Sequence, residues 1–234
     1  SNFKGYDLFK HKFNYQNKNL EIYLPECGPL YAFFLGEYRL PPLIETKVGD
    51  VVIDCGACWG DTTIEFASSV GEEGKVYTYE FLPFNLNILQ KNISLNEYLS
   101  NRIKIVNKAV WDESEKTLFY KDDGPGTRVD SSEFQGHEGA VKTLSIDDLV
   151  AKENITKVSL IKMDIEGAEQ NALLGAIETI KRFKPNLAIS IYHNLNDYSE
   201  IAQWIEDIKL EYEFYVKHFT IHLEETVLFA SVKN

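Results

Sequence analysis

Val48-Gly-Asp-Val-Val-Ile-Asp-Cys-Gly56, followed at once by Ala57-Cys-Trp-Gly-Asp61, is the stretch on which the fold turns. A short β-branched run closed by turn residues suits a strand buried on both faces. Thr62 to Val70 then continues as a helix, so the unit is strand, tight loop, helix. The same unit repeats outward. Lys75 to Phe81, after the turn signals Gly71 and Gly74, reads as a second strand, and Pro83 opens a helix with Leu86, Leu89 and Ile93 on one face. Ile103 to Trp111 is a third strand, with Thr117 to Tyr120 as its hairpin partner. Lys121 to Lys142 carries Asp122-Asp-Gly-Pro-Gly126, Gly136 and Gly139, and reads as a long mobile loop.

Downstream, Ser145-Ile-Asp-Asp148 is a capping box that starts a short helix running to about Lys152. Val158 to Asp164 is a fourth strand. Ala168, Ala172, Leu173, Ala176, Ile177 and Ile180 give a single following helix one apolar face. Asn186 to Tyr192 is a fifth strand, Ile201, Trp204, Ile205 and Ile208 mark the next helix, and Glu213 to Phe219 and Thr226 to Val232 close the chain as two strands. Strands alternating with helices imply right-handed crossovers and a doubly wound, mostly parallel α/β sheet; the closing pair, joined by a short loop, is expected to be antiparallel. Residues 48–234 form this domain, and residues 1–47 are read as an N-terminal cap or extension. The Tyr31-Ala-Phe-Phe-Leu35 run within it suits a core or an interface equally.

Composition narrows the function. The 234 residues are 44% hydrophobic and 26% charged, as in a globular domain, with 24 Lys and Arg against 36 Asp and Glu and a net charge of −12. Such a surface repels phosphates on average, which argues against nucleic acid or an anionic membrane as partner. Cys27, Cys55 and Cys58 make neither a disulfide framework nor a zinc set, so a reducing, cytoplasmic location is expected. No run approaches the roughly 18 apolar residues of a membrane helix, and the first residues hold no secretory h-region. The chain opens on Ser1 rather than Met, which leaves open a start cut from something longer.

In doubly wound sheets ligands bind beyond the carboxyl ends of the strands, so chemistry is sought just after each strand. The first loop, Asp54-Cys-Gly-Ala-Cys-Trp-Gly60, lacks the middle glycine of a dinucleotide fingerprint. Cys58 stands there, and its side chain would crowd a pyrophosphate. No P-loop is present. A nucleoside cofactor without phosphates remains, and S-adenosylmethionine fits: Asp54 would anchor its amino group, and backbone N–H groups around Gly56, Ala57, Cys58 and Gly60 its carboxylate. These glycines could equally make a plain strand-to-helix turn. Glu80, at the end of the second strand, would bind the ribose hydroxyls. Asn107 and Ala109 would read the adenine edge, and Phe81 or Trp111 would cover a ring face, although an aromatic core serves Trp111 as well.

The most specific segment is Leu160-Ile-Lys-Met-Asp-Ile-Glu-Gly-Ala-Glu169. Alternation puts Lys162, Asp164 and Glu166 on one side of the strand, with Ile161, Met163 and Ile165 on the other. Ionisable groups crowded at a ligand-binding edge are costly unless they pair or serve a ligand.

Here the chain resembles the FkbM family of S-adenosylmethionine-dependent methyltransferases. The carrying residues are Val52-Ile-Asp-Cys-Gly-Ala57 with Gly60-Asp61, Val76 to Glu80, Thr143 to Leu149 and Lys162-Met-Asp-Ile-Glu-Gly-Ala-Glu169, with later blocks at Ile191-Tyr-His193, Val216 to Phe219 and Glu225 to Phe229. The resemblance runs from about Val48 to Val232. Cys58-Trp59 and Phe81-Leu82 depart from the family's usual pattern, and the first fifty residues match nothing. It implies a class I methyltransferase fold, Rossmann-like, with seven strands and an antiparallel C-terminal strand, S-adenosylmethionine as cofactor, and O-methylation of a hydroxyl on a sugar, glycan or other small molecule. Asp164, Glu166 and His193 are the candidate proton acceptors, with Lys162 holding carboxylates or polarising an oxygen; Asp164 could also orient the cofactor amine. His193 could instead be a satisfied structural histidine, and His218 and His222 are weaker candidates. An oxygen set of Asp164, Glu166 and Asn194 is conceivable, but no metal is assigned. Arg128 in the 121–142 loop would offer a cation to an acidic acceptor. The competing reading is a non-catalytic nucleoside-binding or scaffold module that keeps the fold.

Overall fold

The computed structural model describes residues 2–3, 5–220 and 224–232. Its centre is a seven-stranded sheet made of β5 (Val51–Cys55), β6 (Lys75–Tyr79), β7 (Ile103–Val106), β11 (Leu160–Met163), β12 (Asn186–Ser190), β13 (Tyr212–His218) and β14 (Thr226–Val232), in the order β13-β14-β12-β11-β5-β6-β7. β7, β6, β5, β11 and β12 run parallel, and β14 is antiparallel to both of its neighbours. This is the doubly wound, mostly parallel architecture expected, with the antiparallel strand at the C-terminus. The order reverses between β5 and β11, so their carboxyl ends open a crevice there.

Helices α1 (Asp61–Ser69), α2 (Pro83–Leu95), α3 (Ile146–Lys152), α4 (Glu169–Leu174), α5 (Ile177–Phe183) and α6 (Asp197–Asp207) flank the sheet. Ser145 caps α3 as its motif predicts, accepting from the Asp148 N–H at 3.2 Å. Ile53, Ile161, Met163 and Ile189 face one core with α3 to α6, and Val52, Val76, Leu160 and Phe229 face the other with α1. Among the described residues, no helix is long and apolar enough to cross a membrane.

Three elements differ from expectation. The third strand ends at Val106, because Ala109 leaves the sheet to bridge with Thr143. Thr117–Tyr120 (β8) therefore pairs not with it but with β10 (Gly139–Lys142) and β9 (Val129–Asp130). The supposed mobile loop thus supplies two short strands, β9 and β10, of a small antiparallel sheet and is otherwise turns and irregular chain. The single helix after β11 is two, since Gly175 passes so close to Trp111 that an added Cβ would lie 2.1 Å from its carbonyl oxygen. The Gly175 carbonyl accepts from the Asp147 N–H, and the Asp147 carboxylate accepts from Glu178 and Thr179 to start α5.

The N-terminal segment is more than an appendage. β1 (Asn2–Phe3) and β2 (Tyr6–Asp7) form a small pair, and β3 (Phe9–Tyr15) and β4 (Lys18–Leu24) form a hairpin. Leu8, Leu20, Ile22, Leu24 and Phe33 share the α1-side core with Val52 and Phe66. Asn92 of α2 and Asn96, the residue that follows the helix, hydrogen-bond the backbone of Tyr23 and Glu21, doing for the edge of β4 what another strand would do. Leu30–Leu35 is a π-helical turn that buries Ala32 and Phe33 and leaves Phe34 exposed. It delivers Glu37 and Tyr38 to the crevice.

Candidate functional site

A cavity of about 570 Å³ lies beyond the carboxyl ends of β5, β6, β7, β11 and β12, and is walled also by Glu37, Tyr38, Gly124 to Thr127 and Glu225. Carboxylates in its wall outnumber lysines seven to two. Gly56, Cys58, Glu80, Phe81, Ala109, Lys162, Asp164 and Glu166 line it, as the sequence predicts.

Other predicted residues stand behind the wall or away from it. Asp54 is fully buried; its Oδ2 accepts from the hydroxyls of Thr62, Thr63 and Thr78 at 3.0, 2.6 and 3.3 Å, and its Oδ1 lies 3.3 Å from Lys162 Nζ. That corrects the expectation that it faces a cofactor amine. Ala57 is also buried and donates its N–H to the Tyr79 carbonyl. Gly60, at φ +90°, turns the chain into α1 where a Cβ would meet Leu89 at 2.4 Å. Asn107 is exposed and off the wall, because the chain has already left β7, so it does not reach an adenine there. Arg128 donates to the His193 carbonyl at 3.3 Å and does not line the cavity. His218 contacts Thr226 Oγ1 away from the cavity, and His222 lies outside the described residues.

Glu80 is set by its neighbours. Its Oε1 accepts from the Phe81 and Leu82 N–H groups at 2.7 and 2.8 Å, and its Oε2 from Asn85 Nδ2 at 3.2 Å. Asn85 Oδ1 in turn accepts from Trp59 Nε1 at 3.0 Å. The departures Trp59, Phe81 and Leu82 thus hold the acid in place. Burial pushes the Glu80 carboxyl up to about 7 and, against Lys162, that of Asp61 up to about 6.

The β11 side is organised differently. The strand stops at Met163, so the predicted alternation does not carry through to residue 166; Glu166 takes φ +58°. An added Cβ on Gly56, at φ +84°, would lie 1.9 Å from the Asp164 carbonyl oxygen, so only glycine lets the two loops touch. Lys162 Nζ donates to the carbonyls of Cys55 and Gly56 at 3.2 and 2.7 Å. Burial opposes its charge, but Asp54, Asp164 and Asp61 prevail and raise its pKa. Asp164 accepts from the hydroxyls of Tyr38 and Tyr192 at 3.0 and 3.2 Å. Burial works against its ionisation, yet Lys162 and His193 hold it below the usual carboxylate range.

His193 sits behind this wall, its side chain 2% exposed. Its Nε2 lies 3.4 Å from Asp164 and 3.6 Å from Glu166, and its Nδ1 2.9 Å from Glu169. No oxygen is aligned with a ring N–H, so these contacts are ionic rather than directional. Burial would lower its pKa, but Glu166, Glu169 and Asp164 raise it to about 10. His193 also does not line the cavity, so it stands behind the wall and not where the expected base would meet an acceptor. Asp164, Glu169 and His193 also bring one ligating atom each within 4.8 Å of one another, a set that could hold a metal ion. The imidazolium supplies positive charge at the same place.

Sequence reasoning missed Glu37, Tyr38, Asp61, Asn85, Tyr192 and Glu225, all of which line the cavity. Asp61 directly follows Gly60 and Tyr192 directly precedes His193, so their positions could have flagged them. Glu37 and Tyr38 carry no motif.

A family model described as the methyltransferase FkbM domain matches residues 54–214, more than half of the chain. Among solved structures, an FkbM methyltransferase from Methylobacillus flagellatus KT is 24% identical, with a TM-score of 0.65 over 86% of this chain and 48% of that one. The chain therefore spans about half of that relative's length. A fibrillarin from Aeropyrum pernix, solved with natively bound S-adenosyl-L-methionine, is 15% identical, with a TM-score of 0.56 over 95% of this chain and 82% of that one. No curated protein sequence matches. At these identities the structural likeness speaks to the fold, which is that of the Rossmann-like class I methyltransferases.

Proposed function

The chain belongs to the FkbM methyltransferase family, and from that premise we propose that it binds S-adenosylmethionine in the cavity and transfers its methyl group to a hydroxyl of a sugar, glycan or other small molecule. The observation that carries the reading is Glu80, a carboxylate fixed by backbone amides at the end of β6 and lining the cavity. In its ionised form, which prevails above about pH 7, the group only accepts and so suits the two hydroxyl donors of a ribose. The acidic wall suits a sulfonium and disfavours a polyphosphate. Cys58, Phe81 and Ala109 would enclose the adenosine, and Gly56 and Lys162 would meet the amino-acid arm.

When bound, the cofactor supplies an electrophilic methyl group on a positively charged sulfur. The chain's task is then to hold an acceptor oxygen in line and remove its proton. Glu166 lines the cavity and is the base we assign. Asp164, ionised and fixed by Tyr38, Tyr192 and Lys162, would orient the acceptor, while His193 holds Asp164 and Glu166 in place by charge. S-adenosylhomocysteine is expected to raise the melting temperature, and Glu80→Ala to abolish the rise. Unchanged melting of the wild type at saturating ligand ends this reading. Binding with no labelled methyl transfer to any of a panel of sugars and host extracts would favour the non-catalytic module.

A further inference from the structure

The N-terminal extension sends into the cavity a carboxylate that the fold leaves without a full set of partners. Glu37 follows the π-helical turn, is 6% exposed and lines the cavity, and its Oε1 has no hydrogen-bond partner. Its neighbour is Glu225, which immediately precedes β14 and lines the same cavity, and whose negative charge adds to burial in pushing the Glu37 carboxyl up. Asp164 and Asp61 face Glu37 with further negative charge. Two carboxyls that repel each other inside one cavity favour a proton or a cation between them. The nearby cations are committed elsewhere. Lys162 is held by Asp54 and two carbonyls, and Arg39 pairs with Glu65 and the Phe33 carbonyl. Among the described residues, no Lys, Arg or His forms an ion pair with Glu37 or Glu225, and the phenols of Tyr38 and Tyr192 point their hydroxyls to Asp164.

The wall leads from this pair to the ribose-binding acid. Asp61 interacts with Glu37, and Cys58 with both Asp61 and Glu80, so the first loop lies between the two ends. A nucleoside held at Glu80 would extend its amino-acid arm over that loop toward Glu37. Asp54, the acid the sequence offers for the ammonium, is fully buried off the cavity wall, with three hydroxyls on its Oδ2 and the Lys162 ammonium 3.3 Å from its Oδ1. Asp61 is the other acid on the path, but it accepts backbone N–H groups at the start of α1, whereas Glu37 keeps an open acceptor.

We infer that Glu37 and Glu225 together form the receptor for the α-ammonium of the cofactor's amino-acid arm, which makes the N-terminal extension part of the cofactor site. The inference rests on the S-adenosylmethionine reading. An ammonium donates three hydrogens in fixed directions and neutralises the pair without a proton.

The test compares S-adenosylhomocysteine, which carries the ammonium, with 5′-methylthioadenosine, which lacks the amino-acid arm. Affinities are measured by calorimetry on the wild type and on Glu37→Gln, Glu225→Gln and Asp61→Asn. Glu37→Gln and Glu225→Gln are expected to weaken S-adenosylhomocysteine roughly tenfold or more while leaving methylthioadenosine within about twofold. The two variants lie on different elements, so loss of folding in one leaves the other to decide. Equal weakening of both ligands, no weakening of either, or selective loss only in Asp61→Asn would overturn the inference. A wild type that binds neither ligand would instead overturn the cofactor reading beneath it.

Discussion

The two sides of the cavity satisfy their charges in different ways. On the β5–β6 side, Asp54 Oδ2 takes three threonine hydroxyls, and both Glu80 oxygens are occupied by groups within five residues of it. On the β11–β12 side, with the N-terminal extension, Glu37 Oε1, Glu169 Oε2 and both His193 nitrogens lack a hydrogen bond, and Glu166 and Glu225 take positive φ. The first side is a scaffold made mostly of local hydrogen bonds, with Asp54 Oδ1 lacking one but lying 3.3 Å from the Lys162 ammonium. The second is held by long-range charge, with acceptors left open, which is where a reacting ligand is expected to be handled.

Removing the proposed base tests this contrast most severely. Glu166→Gln is expected to lower labelled methyl transfer by roughly 10²–10⁴-fold while S-adenosylhomocysteine affinity stays within about twofold; unaltered turnover would move the base elsewhere. Asp54→Ala should act on the opposite side as a folding lesion. It strands Lys162 in the interior, and denaturant unfolding should show a loss of about 3–5 kcal/mol. A variant with wild-type stability that had lost only ligand binding would erase the contrast. Gly56→Ala strikes where the sides touch: the clash with the Asp164 carbonyl and the positive φ should lower stability by about 2–3 kcal/mol and weaken ligand binding as well, read by melting with and without S-adenosylhomocysteine.

The smallest effect is in pH. Glu80 keeps its proton to about pH 7 when folded but releases it near 4.5 when unfolded. It therefore favours the folded state at low pH, and that contribution is lost as pH climbs from 4.5 to about 7; Asp61 acts in the same sense between 3.8 and about 6. The ligand-free protein should melt several degrees lower at pH 7 than at pH 4.5 from these groups, and Glu80→Gln should flatten the slope. An equally steep slope in Glu80→Gln would show that Glu80 does not carry it.

How far the site was legible follows from the same division. Glu80 and the glycines at 56 and 60 are readable because each acts within a few residues of a strand end, where chain direction fixes position. Lys162 and Asp164 are readable as a crowded motif, but their partners are not. Tyr38, 126 residues from Asp164, gives no local sign of the hydrogen bond it donates. Asp54 misled because a strand-end carboxylate looks alike whether it faces a ligand or three threonines. The 121–142 segment misled because its strands are two and four residues long and broken by glycines, too short for periodicity to register.

By itself the sequence determined the alternation of strands and helices, the antiparallel close of the sheet, the edge where the cavity opens and the family, because hydrophobic period and turn chemistry are local properties. Only the tertiary structure decided which acids face the cavity, that His193 is buried among three carboxyls behind the wall, and that the first forty residues supply part of the wall. Those outcomes depend on burial and on charges brought together from distant parts of the chain, and the electrostatic cost of an interior charge is set by neighbours in space, not in sequence.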